Sequence, residues 1–239
     1  MKAALVTGGS GGIGAATVRA FTKAGYSVAF FYNTRREAAM ALAQETGSIP
    51  LSCDLANPEN IREACVQVLR RLLHIDALAL CAGIAQQKLF QDITDQDWDR
   101  MLAVNISGAF YVTRAVLPSM IARKAGQIAF LSSMWGQAGA SMEAHYSASK
   151  AALIGLTRSL AKEVAPSGIR VNCVAPGAID TPMTTSLGGA ALKRLREEIP
   201  LGRLGTPEEV ARCILWLCSA ESSYLTGQVI GLSGGMVMV

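Results

Sequence analysis

Tyr146 and Lys150 stand four residues apart in Tyr146-Ser147-Ala148-Ser149-Lys150. On a helix that spacing puts both side chains on one face, a turn from each other. A free phenol has a pKa of about 10 and is poorly matched to proton transfer at neutral pH. An ammonium beside it stabilises the phenolate and lowers that value, so the pair could pass a proton to or from an oxygen. The spacing alone is common on exposed helix faces. Here Ser133 stands thirteen residues before the tyrosine, just after an apolar run, in Leu131-Ser132-Ser133-Met134-Trp135-Gly136. A third segment, Thr7-Gly8-Gly9-Ser10-Gly11-Gly12-Ile13-Gly14, lies between a predicted strand and a predicted helix. Glycines let a backbone turn sharply and let a pyrophosphate come close. The helix that follows aims free N–H groups and its positive end at the phosphates. An ordinary glycine-rich loop is the alternative, and the strand-turn-helix placement argues against it. After the second predicted strand, Phe31, Tyr32, Asn33 and Thr34 include no acid, and Arg35 and Arg36 follow at once. A site for NAD normally carries an acid there for the ribose 2′-hydroxyl, whereas arginine can hold a 2′-phosphate. The other reading is that both arginines are solvated on the first turn of a helix.

The elements that must position these groups alternate regularly. Strands are predicted at Ala3–Val6, Ser27–Tyr32, Ile49–Cys53, Asp76–Cys81, Ile128–Leu131, Arg170–Val174 and Gln228–Leu232. Helices are predicted at Ile13–Ala24, Thr34–Glu45, Pro58–Leu72, Thr94–Lys124, His145–Val164 and Pro207–Cys218. Ala77-Leu78-Ala79-Leu80 has no polar alternation, as a strand buried on both faces requires. Repeated strand-helix units imply an α/β fold: a single Rossmann-like doubly wound, mostly parallel seven-stranded sheet with helices on both faces. We expect residues 1–239 to form one domain, with residues 178–200 as a lid over the substrate hinged at Gly177, Gly188 and Gly189. Ser133 would then sit near the carboxyl ends of strands one and four, where such sheets bind ligands.

Composition narrows the function further. The net charge is +4 and no run of five or six basic residues occurs, so no nucleic-acid partner is expected. Six cysteines occur without a CxxC pair, which reads as buried thiols in a reducing compartment. No basic leader is evident and no unbroken apolar stretch reaches a membrane span of about 20 residues, so a cytoplasmic, non-membrane protein is expected. His74 and His145 have no ligand spacing, and no metal is expected.

The glycine pattern has the T-G-x-x-x-G-x-G form and resembles the short-chain dehydrogenase/reductase family. The resemblance runs from Leu5 to Gly235 through motifs in matching order. It implies a catalytic group of Asn105, Ser133, Tyr146 and Lys150. Ser133 would stabilise the charge developing on a substrate carbonyl oxygen, Tyr146 would protonate it, and Lys150 would bind ribose hydroxyls and tune the phenol. Asn105, in Val104-Asn105-Ile106-Ser107-Gly108, would anchor a proton-relay water; a buried Asn bonding backbone is the alternative. The cofactor-binding residues implied are Gly8, Ser10, Gly11, Gly12, Ile13, Gly14, Asn33, Thr34, Arg35, Asp54, Leu55, Ala82, Gly83, Tyr146, Lys150, Pro176, Gly177, Ile179 and Thr181. Cys81-Ala82-Gly83 stands where the family has Asn-Ala-Gly. A second basic residue expected just before Gly12 is Gly11 here. The cofactor expected is NADP(H), with NAD(H) as the alternative.

Within the family the chain resembles bacterial 3-oxoacyl-[acyl-carrier-protein] reductases through Ile199-Pro200-Leu201-Gly202-Arg203 and Tyr224-Leu225-Thr226-Gly227-Gln228. That implies a ketone-to-alcohol reduction, a homotetramer, and an acyl carrier protein docked by basic residues such as Arg123 and Lys124. The second basic place, before Gly168, is Ser167. The loop from Ser132 to Ser141 is similar to the elongation factor P 5-aminopentanone reductases, which reduce a ketone on a modified lysine. There Trp135 and Glu143 would meet the substrate, and elongation factor P would be the partner; His145, next to Tyr146, is read separately as a residue lining the substrate mouth. A non-catalytic dinucleotide-sensing regulator is the reading of another class.

Overall fold

The structure is a computed structural model and describes residues 1–185 and 188–238. Its strands are β1 (Ala3–Thr7), β2 (Ser27–Tyr32), β3 (Ile49–Ser52), β4 (Ala77–Leu80), β5 (Gly126–Leu131), β6 (Ile169–Pro176) and β7 (Val229–Leu232). They form one seven-stranded sheet in the order β3-β2-β1-β4-β5-β6-β7. Every pairing is parallel, so the expected "mostly parallel" sheet is wholly so. The strand order reverses between β1 and β4, where a crevice opens at the carboxyl ends.

The helices are α1 (Gly12–Lys23), α2 (Arg36–Thr46), α3 (Pro58–Leu72), α4 (Asp95–Leu102), α5 (Gly108–Arg123), α6 (Met134–Ala138), α7 (Ala144–Val164), α8 (Pro182–Thr185), α9 (Gly189–Glu198) and α10 (Pro207–Leu217). Their starts follow local chemistry. Asn57 caps α3 by accepting from Glu59 and Asn60 N–H groups, with Pro58 in the first turn. Thr94 and Asp97 form a capping box on α4, as Thr206 and Glu209 do on α10.

Two apolar layers flank the sheet. On one face Leu5, Leu78, Leu80, Ile128 and Phe130 pack with Ile61, Val68, Val112, Val116 and Leu153 from α3, α5 and α7. On the other, Ala4, Val6, Ala77, Ala79 and Ala129 meet Val18, Phe21, Leu42, Val210 and Ile214 from α1, α2 and α10. The run Ala77-Leu78-Ala79-Leu80 therefore alternates after all, in size instead of polarity. Its leucines face α3, α5 and α7, and its alanines let α1 and α10 approach closely. Each buried leucine stabilises the fold by about 1.5–3 kcal/mol relative to exposure.

The helix expected over Thr94–Lys124 is interrupted. Between α4 and α5 the residues Ala103–Ser107 widen into a π-helical turn, a feature that often marks functional sites. The whole run Asp95–Arg123 is long and apolar enough to cross a membrane by length and composition. Val112, Val116 and Met120 of this run lie in the core against the sheet. The helix α6 and the length of β6, which reaches Pro176, were not legible from the periodicity.

Candidate active site

The glycine turn joins β1 to α1 at the crevice. Gly8 has φ +70°, and a Cβ on it would lie 2.8 Å from Ala82 Cα. A Cβ on Gly14 would lie 2.0 Å from the Gly8 carbonyl oxygen. Any side chain at either place would collide with backbone and force the turn apart. Gly11 precedes α1 and provides no side-chain cap, so the leading amides of the helix are left for an anion. These are the features a dinucleotide pyrophosphate needs. Across the turn, Thr7 Oγ1 accepts from Ala82 N at 3.1 Å. Cys81, in the place of the family asparagine, directs its thiol at Thr17 Oγ1, 3.8 Å away. The β1–β4 junction is thus held by Thr7 and Thr17. All six cysteines are free thiols, and burial pushes Cys81 up to about 12.

A cleft of about 480 Å³ runs from this turn across the carboxyl ends of the strands. Every residue named above for the cofactor lines it, from Gly8 through Arg35 and Asp54 to Thr181. Ser133 lines it too. Of the two arginines after β2, Arg35 faces the cleft; Arg36 begins α2 outside it.

Three elements bring Ser133, Tyr146 and Lys150 together. Ser133 leaves β5 and caps α6, its Oγ accepting from Trp135 N at 3.2 Å. Tyr146 and Lys150 lie one turn apart on α7, with the ammonium 5.7 Å from the centre of the phenol ring. Lys150 is 3 % exposed, and its Nζ donates to the Leu131 carbonyl at 2.8 Å. Ser132 Oγ donates to the Lys150 carbonyl, which fixes α7 against the end of β5. Burial pushes the Tyr146 phenol up to about 12, the Glu143 charge adds to the rise, and the neighbouring Ser133 hydroxyl pulls the other way. Burial also pulls Lys150 down to about 8. The expectation that the lysine lowers the phenol is therefore not met in the protein alone. The ammonium sits toward the ring and bonds Leu131, so desolvation dominates.

A family model described as enoyl-(acyl carrier protein) reductase matches residues 8–237. The chain belongs to the short-chain dehydrogenase/reductase family. The 3-oxoacyl-[acyl-carrier-protein] reductase FabG of Thermotoga maritima is 42% identical over 242 residues, covering 99% of this chain and 98% of the relative. FabG of Aquifex aeolicus is 42% identical, covering 98% and 97% of the two chains. Acetoacetyl-CoA reductase of Rhizobium meliloti is 39% identical, covering 98% of each. As a member of this family the chain is an oxidoreductase.

The remaining expected residues are placed differently. Asn105 sits in the π-helical turn, 1 % exposed. Its Oδ1 accepts from Ile84 N at 2.8 Å; its Nδ2 donates to Ile84 O at 2.9 Å and Ser149 Oγ at 3.0 Å. The side chain is consumed in tying the segment after β4 to α7, and it does not line the cleft. His145 does not line a substrate mouth. It is fully buried, with Nε2 2.9 Å from Gln86 Oε1. One helical step from Tyr146 turns it about 100° away, into the packing against the segment after β4. Trp135 is half-buried outside the cleft walls. Glu143 is also half-buried outside them and accepts from Gln87 Nε2 at 3.1 Å.

Arg123 bonds Asp76 Oδ1 at 2.5 Å and Ile75 O at 3.3 Å, at the amino-terminal edge of β4. Lys124 precedes β5 at the same edge. Neither flanks the cleft mouth of its own chain, because the cleft is at the opposite ends of the strands. In the 178–200 segment, Thr181, Pro182, Met183 and Thr184 line the cleft, while Ser186 and Leu187 lie outside the described residues. A Cβ on Gly177 would meet Ser233 Cα at 2.7 Å, so this glycine lets the chain pack closely there. Gly188 and Gly189 have open space around them.

The sequence reading missed Arg100, which lines the cleft from the last turn of α4. The available signal was its position one helical turn before Val104, another residue of the cleft wall.

Proposed function

We propose that the chain reduces a ketone to a secondary alcohol with NADP(H), and that its substrate is a 3-oxoacyl thioester carried by an acyl carrier protein. One observation carries the reaction: the side chains of Ser133 and Tyr146 line one stretch of cleft wall beside the buried ammonium of Lys150, in the cleft that starts at the glycine turn. Two hydroxyls converging on one point suit a carbonyl oxygen, which accepts both. A carbon–carbon double bond, the target in the matched model's description, would accept neither. The substrate class is supported by full-length similarity to relatives named for 3-oxoacyl and acetoacetyl thioesters.

In this reading the reduced nicotinamide cofactor, when bound, would supply the hydride, and its ring would become positive only after the hydride has left, favouring the phenolate that remains on Tyr146. Ser133 holds the carbonyl oxygen and steadies its growing negative charge. Tyr146 gives that oxygen its proton. Lys150, held by Leu131, keeps a positive charge beneath the phenol and faces ribose hydroxyls. The glycine turn and the uncapped start of α1 hold the pyrophosphate. Arg35, following a stretch from Phe31 to Thr34 that includes no acid, favours a 2′-phosphate.

The test follows NADPH absorbance with an acetoacetyl thioester, a simple ketone and an amino-ketone. Fastest turnover of the thioester supports the reading. Fastest turnover of the amino-ketone would transfer it to a ketone on a modified lysine of elongation factor P, which the Glu143 charge near Tyr146 favours. Tyr146→Phe separates an enzyme from a dinucleotide sensor: we expect a fall of about 10²–10⁴ in kcat with cofactor affinity retained. A variant that keeps its rate would refute the assigned role.

A further inference from the structure

Three elements deliver polar side chains to the β3 side of the cleft. Asn33 and Arg35 follow β2, Asp54 follows β3, and Arg100 arrives from the last turn of α4. Asp54 is held on one oxygen: Oδ1 accepts from Ala56 N at 3.0 Å and faces Asn33 Nδ2 at 3.5 Å. Its other oxygen lies 4.0 Å from Arg100 Nη1, with the two side chains 36% and 52% exposed. That separation exceeds a hydrogen bond, and exposed pairs of this kind hold their partners weakly. Two arginines elsewhere on the surface are committed to carboxylates. Arg19 grips Glu45 through two nitrogens at 2.7 Å, and Arg203 grips Glu209 at 3.0 and 2.7 Å. Among the described residues, the guanidiniums of Arg35 and Arg100 donate no hydrogen bond. Both project into the cleft.

A phosphate monoester at neutral pH carries a charge of about −1.5 to −2. Arg35 alone leaves much of that charge unmatched, and the Asp54 carboxylate in the same region would repel it. The glycine turn offers no second cation, since Gly11 stands there. We infer that Arg100 is a cofactor-specificity residue: its guanidinium offsets Asp54 in the free protein and joins Arg35 on the ribose 2′-phosphate when NADP(H) binds. The inference rests on the NADP(H) reading above. Its novelty is the source of the second charge, a helix on the far wall of the cleft.

Cofactor fluorescence titrations at low salt test it, with wild type, Arg100→Gln and Arg100→Lys against NADPH and NADH, each variant's thermal unfolding read alongside. Arg100→Gln should weaken NADPH roughly tenfold or more and leave NADH nearly unchanged, at an unchanged melting temperature. Arg100→Lys should restore most of the preference for NADPH. Equal weakening of both cofactors, or of neither, overturns the inference while a wild-type preference for NADPH leaves the underlying reading intact. A wild type that binds both equally well removes the two together.

Discussion

Ser133 has two jobs that one substitution can separate by readout. Its Oγ caps α6 through Trp135 N and lines the cleft with the Tyr146 phenol. Ser133→Ala should cost about 1 kcal/mol of stability from the lost cap and about 10²–10³ in kcat from the lost charge stabilisation. Chemical denaturation beside steady-state kinetics reads both; loss of stability with a nearly normal kcat would leave only the cap. Lys150 carries the opposite tension. Its amine is pulled from 10.5 to about 8 by burial, so between those values the unfolded chain binds more protons than the folded one. Stability from this group therefore rises with pH across that window, and below about pH 8 the buried ammonium's penalty is fully present. Compared with Lys150→Met, the wild type should gain stability between pH 8 and 10.5, as measured by denaturation of both proteins at each pH. A constant difference would mean that the amine is not burdened by burial.

At the scale of elements, the site depends on joints between strand ends and helices. The π-helical turn Ala103–Ser107 aims Asn105 inward, and Asn105 satisfies both backbone groups of Ile84. Next to it, a Cβ on Gly83 would lie 3.1 Å from Lys150 Nζ and 3.4 Å from Asn105 Oδ1. The turn therefore sets the wall against which the lysine rests. Asn105→Ala would leave the N–H and C=O of half-buried Ile84 without their partner, at up to about 1–3 kcal/mol for each group. We expect a lower melting temperature and a reduced kcat, with kcat more affected than cofactor affinity. Unchanged kcat in a destabilised variant would confine Asn105 to folding. The element-level reading from sequence erred at this joint. A π turn inserts one residue within a single turn and shifts the apolar stripe by about 100°, a break too local for a periodicity reading to register.

For the whole molecule, seven parallel strands and two helical layers place the glycine turn, the end of β5 and the start of α7 around one crevice. The sequence by itself determined the parts that depend on neighbours in the chain. The strand-turn-helix around Gly8–Gly14 and the shared face of Tyr146 and Lys150 follow from backbone sterics and a helical repeat. Strand identity was also legible, because buried parallel strands need unbroken apolar runs. Only the tertiary structure decided the rest. It turned His145 into the packing, spent Asn105 on Ile84, carried Arg123 to the amino-terminal end of β4, and brought Arg100 across to Asp54. It also set the phenol high, because desolvation depends on how much protein surrounds a group. Each of these outcomes depends on contacts between residues distant in sequence, for which local spacing carries no signal.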